Sequence, residues 1–393
     1  MLNIFFLGLV SFFSDISTYM VYPLIPLYLV SRFGATPALV GIIEGISESL
    51  ASLLKVFSGY ATDKSQKKKA IAFSGYAAGV VYKLALLFAA SWVGILFARV
   101  IDRIGKGIRT APRDVLISES IDKGSMGKAF GFHKTLDMFG AALGILITYF
   151  ILSSFVGGNG ESDFDYKRLF AISMIPAVLG LVMFAFIKET KKPREAKKQE
   201  LFWKNIKEID GQLKLYLLVV FIFTLGNSSN AFILLKAKAA GFDDVNVIML
   251  YFVYNVVASL LAFPFGKLSD RIGRKNLLIP GYVAFALCYF SFAFANSPFP
   301  MITAFVLFGI YTAMITGVER AFVAEIAPPD LKGTMLGLHA TVSGIALLPA
   351  SVVAGLLWTS YGAQVPFIFG AGLSLLAALI LLLFMKNNRP DPA

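Results

Sequence analysis

Five bases fall within residues 97–114, FARVIDRIGKGIRTAPRD, of a chain that is otherwise 57% hydrophobic. Arg99, Arg103, Lys106, Arg109 and Arg113 follow one another at steps of 4, 3, 3 and 4, so on an α-helix they share one stripe, with Asp102 beside it and Asp114 at its end. A stripe of this kind turned toward lipid would cost about 2.5–3.5 kcal/mol for each base near the bilayer centre, more than its apolar neighbours offset. The stripe therefore faces a wet or protein-lined interior. Pro112 argues against a regular helix at its end.

An internal repeat shows that the stretch belongs to a membrane span. His133 and His339, the two histidines, lie in GKAFGFHKT and GTMLGLHAT, 206 residues apart, and Glu119 meets Glu325 in the same register. GYATDKSQKKK from Gly59 and GKLSDRIGRKN from Gly266 repeat 207 residues apart. Two nearly equal offsets across the whole length mean two copies of one unit. The counterpart of the charged stretch lies inside the apolar run from Phe299 to Glu325, so the charged stretch is a span as well.

Runs of about 20 apolar residues place twelve spans: 3–31, 37–61, 70–90, 92–117, 127–154, 167–187, 213–235, 244–268, 276–295, 299–325, 333–358 and 364–385. The expected fold is an all-α membrane protein of twelve transmembrane helices in two pseudo-symmetric six-helix bundles, 1–187 and 213–393, joined by a cytoplasmic linker, 188–212. Within the linker, Leu201 to Ile209 reads either as an amphipathic surface helix or as a solvated tether. Lys and Arg cluster after spans 2, 6, 8 and 12, which puts both termini in the cytoplasm and the protein in the cytoplasmic membrane as a multi-pass chain. The first apolar run lacks a basic flank and carries Asp15, so it reads as a retained span.

The net charge of +12 lies largely in short loops, where it orients the chain, and no nucleic-acid-binding motif accompanies it. A single cysteine, Cys288, excludes an internal disulfide. Two histidines and one cysteine far apart offer no metal site, and no nucleotide-binding fingerprint or nucleophile elbow is present. We expect no metal, no cofactor, no nucleic-acid partner and no enzymatic activity.

Charged and polar residues inside the spans are the functional candidates. Asp15, with Tyr19 and Tyr22 one and two turns on, is either a proton carrier or half of an ion pair with the stripe. Glu44 and Glu48, a turn apart and on a face with Lys55, suit a proton site or a salt-bridged gate. Asp102, with three bases within a turn, is the rival proton carrier, and Asp137 follows Lys134 closely enough to neutralise it. Lys83, Arg99, Arg103, Lys106 and Glu319 add charge to the expected cavity. The corresponding region of the second half is softer, with Asn227, Asn230, Tyr251, Tyr254, Asn255 and Tyr311. His133 and His339 follow Gly-x-x-x-Gly spacing and read as inter-helix contacts or as a switch.

With these residues in view, the whole chain resembles the Major Facilitator Superfamily of secondary transporters. The superfamily's loop motif, G-x-x-x-D-[RK]-x-G-[RK]-[RK], stands complete as Gly266, Asp270, Arg271, Gly273, Arg274 and Lys275. The first copy keeps Gly59, Asp63, Lys64, Lys67 and Lys68, with Gln66 at the glycine position. The resemblance implies that these residues latch helices in one conformer. Its fourth-span motif is matched at Arg99 and Gly105, with Asp102 and Arg103 departing from it; the arginine occurs in many proton-coupled members. The fifth-span exporter pattern is matched at Asp137, Gly140 and Gly144, but its proline is missing, so direction stays open. FFSDIS, PLIPLYL and IIEGISES are similar to a prokaryotic subgroup of unassigned substrate. The implied activity is secondary transport of a small organic solute, anionic or amphipathic, coupled to protons and carried out by a monomer in the lipid bilayer. A proton-independent uniporter or uptake symporter, and a non-transporting sensor or scaffold on a carrier fold, are the alternatives.

Overall fold

A computed structural model describes residues 2–65, 67–120, 126–156, 165–189, 210–328 and 332–385. In chain order the helices are α1 (Leu2–Val21), α2 (Leu24–Phe33), α3 (Pro37–Ser65), α4 (Lys68–Phe88), α5 (Trp92–Glu119), α6 (Met126–Val156), α7 (Tyr166–Ala185) and α8 (Gly211–Gly226). They continue with α9 (Ala231–Ala239), α10 (Asp244–Ile272), α11 (Arg274–Phe294), α12 (Pro298–Ile315), α13 (Val318–Ile326), α14 (Lys332–Tyr361) and α15 (Val365–Phe384). Among the described residues, eleven stretches are long and apolar enough to cross a membrane. The twelfth helix of that length is α5, 28 residues, whose charge keeps it out of any hydropathy count. The chain is an all-α membrane protein of the expected twelve-span class. Residues 201–209 of the expected linker lie outside the described residues.

Three expected spans are broken rather than continuous. The first divides into α1 and α2 at Tyr22–Pro23, the seventh into α8 and α9 at Asn227–Asn230, and the tenth into α12 and α13 at Thr316–Gly317. Pro23 explains the first, since a proline cannot donate to the preceding turn. The second falls about 206 residues later, at the equivalent place in the repeat.

The expectation that Pro112 interrupts the fourth span is corrected, because α5 runs unbroken to Glu119. Proline at 112 deprives the carbonyl of Ile108 of its helical donor. The buried hydroxyl of Ser58 on α3 donates to that oxygen at 2.6 Å, so the helix continues with its backbone satisfied.

Within each unit the helices pack through missing side chains. A Cβ on Gly140 would stand 2.4 Å from the carbonyl oxygen of Phe12, and one on Gly144 2.5 Å from that of Ile16. α1 and α6 therefore touch backbone to backbone. Gly75 and Gly105 do the same for α4 and α5, each hypothetical Cβ lying 2.7 Å from the other's carbonyl oxygen. Such approaches suit a membrane, where close van der Waals contact replaces the hydrophobic drive. Asn3 then fastens the start of α1 to the end of α7: its amide donates to Lys188 O at 2.8 Å, and its oxygen accepts from Lys188 N at 3.0 Å.

Two compact units result. One comprises 1–36, 46–192 and 242–252, the other 37–45, 193–241 and 253–393. Tyr166, donating to Asp244, and Tyr251, 6.3 Å ring to ring from Tyr22, bind 242–252 into the first. Glu44, accepting from Ser229, and Ala38 N, donating to Thr359 Oγ1, bind 37–45 into the second.

The repeat registers resolve at one turn. α3 ends at Ser65 and α10 at Ile272, 207 residues apart, whereas α4 and α11 begin at Lys68 and Arg274, 206 apart. Gly273, at φ +91°, makes the connection between α10 and α11 in one residue.

Candidate functional site

In the first unit the stripe on α5 is sorted among different partners. Arg99 and Arg103 are each 1% exposed, and between them they share two carboxylates. Arg103 Nη1 is 3.2 Å from Glu48 Oε1 and its Nε 3.3 Å from Asp102 Oδ2. Arg99 reaches the same two groups at 3.9 and 4.0 Å. Tyr22, held at the break after α1, offers its ring to both guanidinium groups, with centroids 5.3 Å from Arg99 Cζ and 5.5 Å from Arg103 Cζ. Cation–π contact and two-fold ion pairing together make burial of two arginines tolerable. The stripe faces protein here.

Farther along, Arg109 lies over Tyr76 at 4.5 Å and donates to Ser14 Oγ at 3.0 Å. Arg113 turns to Asp114 instead, at 2.8 Å. Lys106 is half-buried. Lys83 is 1% exposed, with its ammonium 5.1 Å from the Tyr82 ring centroid. Asp15 is partly buried and has no ion pair within 4 Å among the described residues; the charges that act on it are Asp137, Arg109, Lys106 and Lys134. Tyr19 sits 6.2 Å from Tyr22, ring to ring.

Glu44 and Glu48, neighbours on one helix face, go to different partners. Glu48 joins the arginines, while Glu44, 2% exposed, accepts from Ser229 Oγ at 3.3 Å in the second unit. Asp137 likewise departs from its expected partner: it lies 3.6 Å from His133 Nδ1, and among the described residues it has no ion pair with Lys134. His133 Nε2 bonds to Ser11 Oγ at 2.8 Å, and Ser11 to Tyr76 Oη at 3.2 Å.

The second unit holds the polar-aromatic set without Tyr251, which belongs to the first. Asn227 donates to Tyr311 Oη at 3.1 Å. Asn230 precedes α9 without a side-chain capping bond, Tyr254 packs on Phe308 with centroids 4.7 Å apart, and Asn255 is partly buried on α10. Glu319 stands apart from these, accepting from Tyr282 Oη at 3.0 Å and lying 4.0 Å from His339 Nε2.

The loop motif forms a tie. Arg274 Nη1 meets Glu325 Oε2 at 2.8 Å and donates to Ala321 O at 3.0 Å, and its Nη2 is 3.5 Å from Asp270. Gly266 lies in α10, and Asp270 and Arg271 are exposed at its end. In the first copy Lys68 meets Glu119. Gly59, Asp63 and Lys64 fall in α3, but their side chains lie outside the described residues. The partners Tyr76, Tyr282, Ser11 and Tyr216 escaped the sequence reading. A signal for the first two existed: Gly75–Tyr76 and Gly281–Tyr282 repeat 206 residues apart.

Two units of broken and glycine-packed helices, with an ionic core in one, define a polytopic membrane protein of duplicated build. The chain belongs to the Major Facilitator Superfamily, whose family model matches residues 7–235 and 215–393. An uncharacterized MFS-type transporter of Methanocaldococcus jannaschii is 35% identical over 387 residues, 97% of this chain and 94% of that one. Multidrug resistance protein MdtG of Citrobacter koseri is 23% identical, covering 92% of this chain and 89% of its own. The same fold occurs in a mutant of the nucleoside transporter NupG, with TM-score 0.82 and 15% identity over 98% of this chain and all of that one. It occurs also in a D-xylose-proton symporter, with TM-score 0.76 and 17% identity over 98% and 97%. The protein is a multi-pass membrane transport protein acting on a small molecule.

Proposed function

We propose that the chain is a proton-coupled secondary carrier of a small organic solute, anionic or amphipathic, working by alternating access as a monomer in the cytoplasmic membrane. In this reading 1–187 and 213–393 are its two six-helix halves, 188–212 joins them on the cytoplasmic side, and both termini are cytoplasmic. The observation that carries it is the set of buried Arg99, Arg103 and Asp102 with the partly exposed Glu48 under Tyr22. Two guanidinium groups held by two carboxylates are neutral at rest. A solute anion that takes over one guanidinium, or a proton that neutralises one carboxylate, unbalances the set and obliges helices to rearrange.

Asp15 supports proton coupling, because a carboxylate without an ion pair in a span is costly to keep ionised. Arg99, Arg103 and the half-buried Lys106 support an anionic group on the solute, since guanidinium engages a carboxylate or phosphate bidentately. The name of MdtG supports an amphipathic one.

The test begins with purified full-length protein and a ligand panel read by thermal shift, since a ligand of the folded state raises apparent stability. Any hit is then followed as flux into proteoliposomes with and without a pH gradient. Gradient-driven accumulation is expected. Flux indifferent to the gradient would leave a uniporter, and binding without flux would leave a sensor.

A further inference from the structure

We propose that the second half carries a proton-binding site of its own, formed by Glu319 with Tyr282, Tyr216 and His339, separate from the polar-aromatic set around Tyr311. The inference deepens the proton-coupled reading and rests on it for the site's role in transport.

Glu319 lies on α13, within the apolar segment Pro298–Ile326, and its side chain is 15% exposed. Its neighbours are neutral donors and rings. Tyr282 of α11 donates to Oε1 at 3.0 Å, and His339 of α14, 10% exposed, places Nε2 4.0 Å from Oε2. Tyr216 of α8 stacks parallel to His339, with centroids 6.5 Å apart, and closes the other side together with Phe322. Arg320, next in the chain, is exposed, and among the described residues it has no ion pair with Glu319. α12 also packs on α13, and the charge that acts on Glu319 is that of Arg320. Glu48 and Asp102 differ sharply, each being touched by two guanidinium groups.

Among the described residues the buried Nε2 of His339 has no hydrogen-bond partner, and it lies 4.0 Å from a carboxylate oxygen. One proton placed between these two atoms satisfies both. As a carboxylic acid, Glu319 donates to the imidazole lone pair while its other oxygen keeps the bond from Tyr282. A charge enclosed among aromatic rings is thereby neutralised. The 4.0 Å separation needs to close by about 1 Å to reach hydrogen-bonding distance.

Comparison with the first half shows that this is a distinct chemistry. Tyr76 and His133 precede Tyr282 and His339 by 206 residues, and the position equivalent to Glu319 is Arg113. There the same Tyr–His frame holds Ser11, with the Arg109 guanidinium over the phenol ring. The duplicated frame is thus lined by Arg109 together with Asp137 in one half and by Glu319 in the other.

The experiment is infrared difference spectroscopy of the full chain in liposomes, stepped from about pH 8 to about pH 5, a range in which an ordinary surface glutamate stays largely ionised. No solute is needed. Wild type should develop a carbonyl-stretch band of a protonated carboxyl group that is lost in Glu319→Gln and retained in Asp15→Asn. Tyr282→Phe and His339→Gln, which leave the carboxyl in place, should each shift that band by removing a hydrogen-bond partner; they also decide the matter should Glu319→Gln fold poorly. Spectra of Glu319→Gln that coincide with wild type, or a band unmoved by both other variants, would overturn the proposal. Absence of proton movement during wild-type transport would instead count against the coupled carrier and leave the site standing.

Discussion

Arg274 and Glu325 are ion-paired at 2.8 Å, and 206 residues earlier Lys68 and Glu119 are paired in the same manner. Each pair ties the start of one span to the end of the next, α4 to α5 and α11 to α13, so the duplicated halves preserve a bond as well as a sequence. Their surroundings differ. The side chains of Lys68 and Glu119 are 9% and 13% exposed, those of Arg274 and Glu325 28% and 26%.

That difference predicts unequal costs. Glu119→Gln strands a buried ammonium and should destabilise the protein by about 3 kcal/mol. Glu325→Gln leaves Arg274 with the Ala321 carbonyl and partial access to solvent, and should cost about 1 kcal/mol or less. Thermal melts of the two variants in the same detergent check the order. Equal losses would mean that burial does not govern these pairs.

Ser58 and Pro112 should be energetically coupled through the Ile108 carbonyl. Ser58→Ala removes its donor and should cost about 1–3 kcal/mol, the range for a buried polar group left unsatisfied. Pro112→Ala supplies a backbone N–H to the same oxygen, so the double variant should recover much of the loss. A double-mutant cycle with no coupling would remove Ser58 from the account of why α5 is continuous.

Gly144→Ala should be far more damaging than Gly131→Ala. The first puts a methyl group 2.5 Å from the Ile16 carbonyl, whereas nothing lies within 4 Å of the second. Separating α1 from α6 should cost roughly 1–3 kcal/mol, read as a fall in melting temperature and in expression. Comparable behaviour of the two would contradict the backbone contact.

Arg103→Lys keeps the charge but not the fork that meets Glu48 and Asp102 together. Transport should fall about tenfold or more, consistent with the loss of one bidentate contact. Unchanged uptake by this variant, with only cationic solutes competing, would exclude an anion at this position.

Asp15→Asn should abolish accumulation driven by a pH gradient while leaving exchange at equal pH largely intact. Asp102→Asn should impair both, because it frees Arg99 and Arg103 from a shared carboxylate at a cost of roughly 3–5 kcal/mol. Parallel flux assays separate the two, and full accumulation by the Asp15 variant would pass the proton role to Glu44, Glu48 or Glu319.

Much of the architecture was legible in the chain because membrane burial writes itself as length and apolarity, and duplication as a constant offset. The charged stripe on α5 could be read as inward-facing from cost alone. Its partners could not be read, because a base on a helix records only that it needs a counter-charge. Glu44 and Glu48 show the limit: equal spacing predicted a shared role, yet Ser229 and Arg103 draw them apart. Pro112 misled for a related reason, since its remedy, Ser58, lies on another helix. Asp137 turned from Lys134 to His133 because both choices satisfy helical spacing.

The joint at Thr316–Gly317 has a mechanical consequence. The helix equivalent to α12 and α13 in the first half is a single strut of 28 residues, whereas the second half has two shorter rods in series. A strut resists bending along its whole length, and rods in series yield at the joint. The two copies of one duplicated unit thereby differ in where they can bend: α5 runs as one helix, while α12 and α13 meet at a glycine. A symmetric ancestry has yielded one continuous lever and one jointed one.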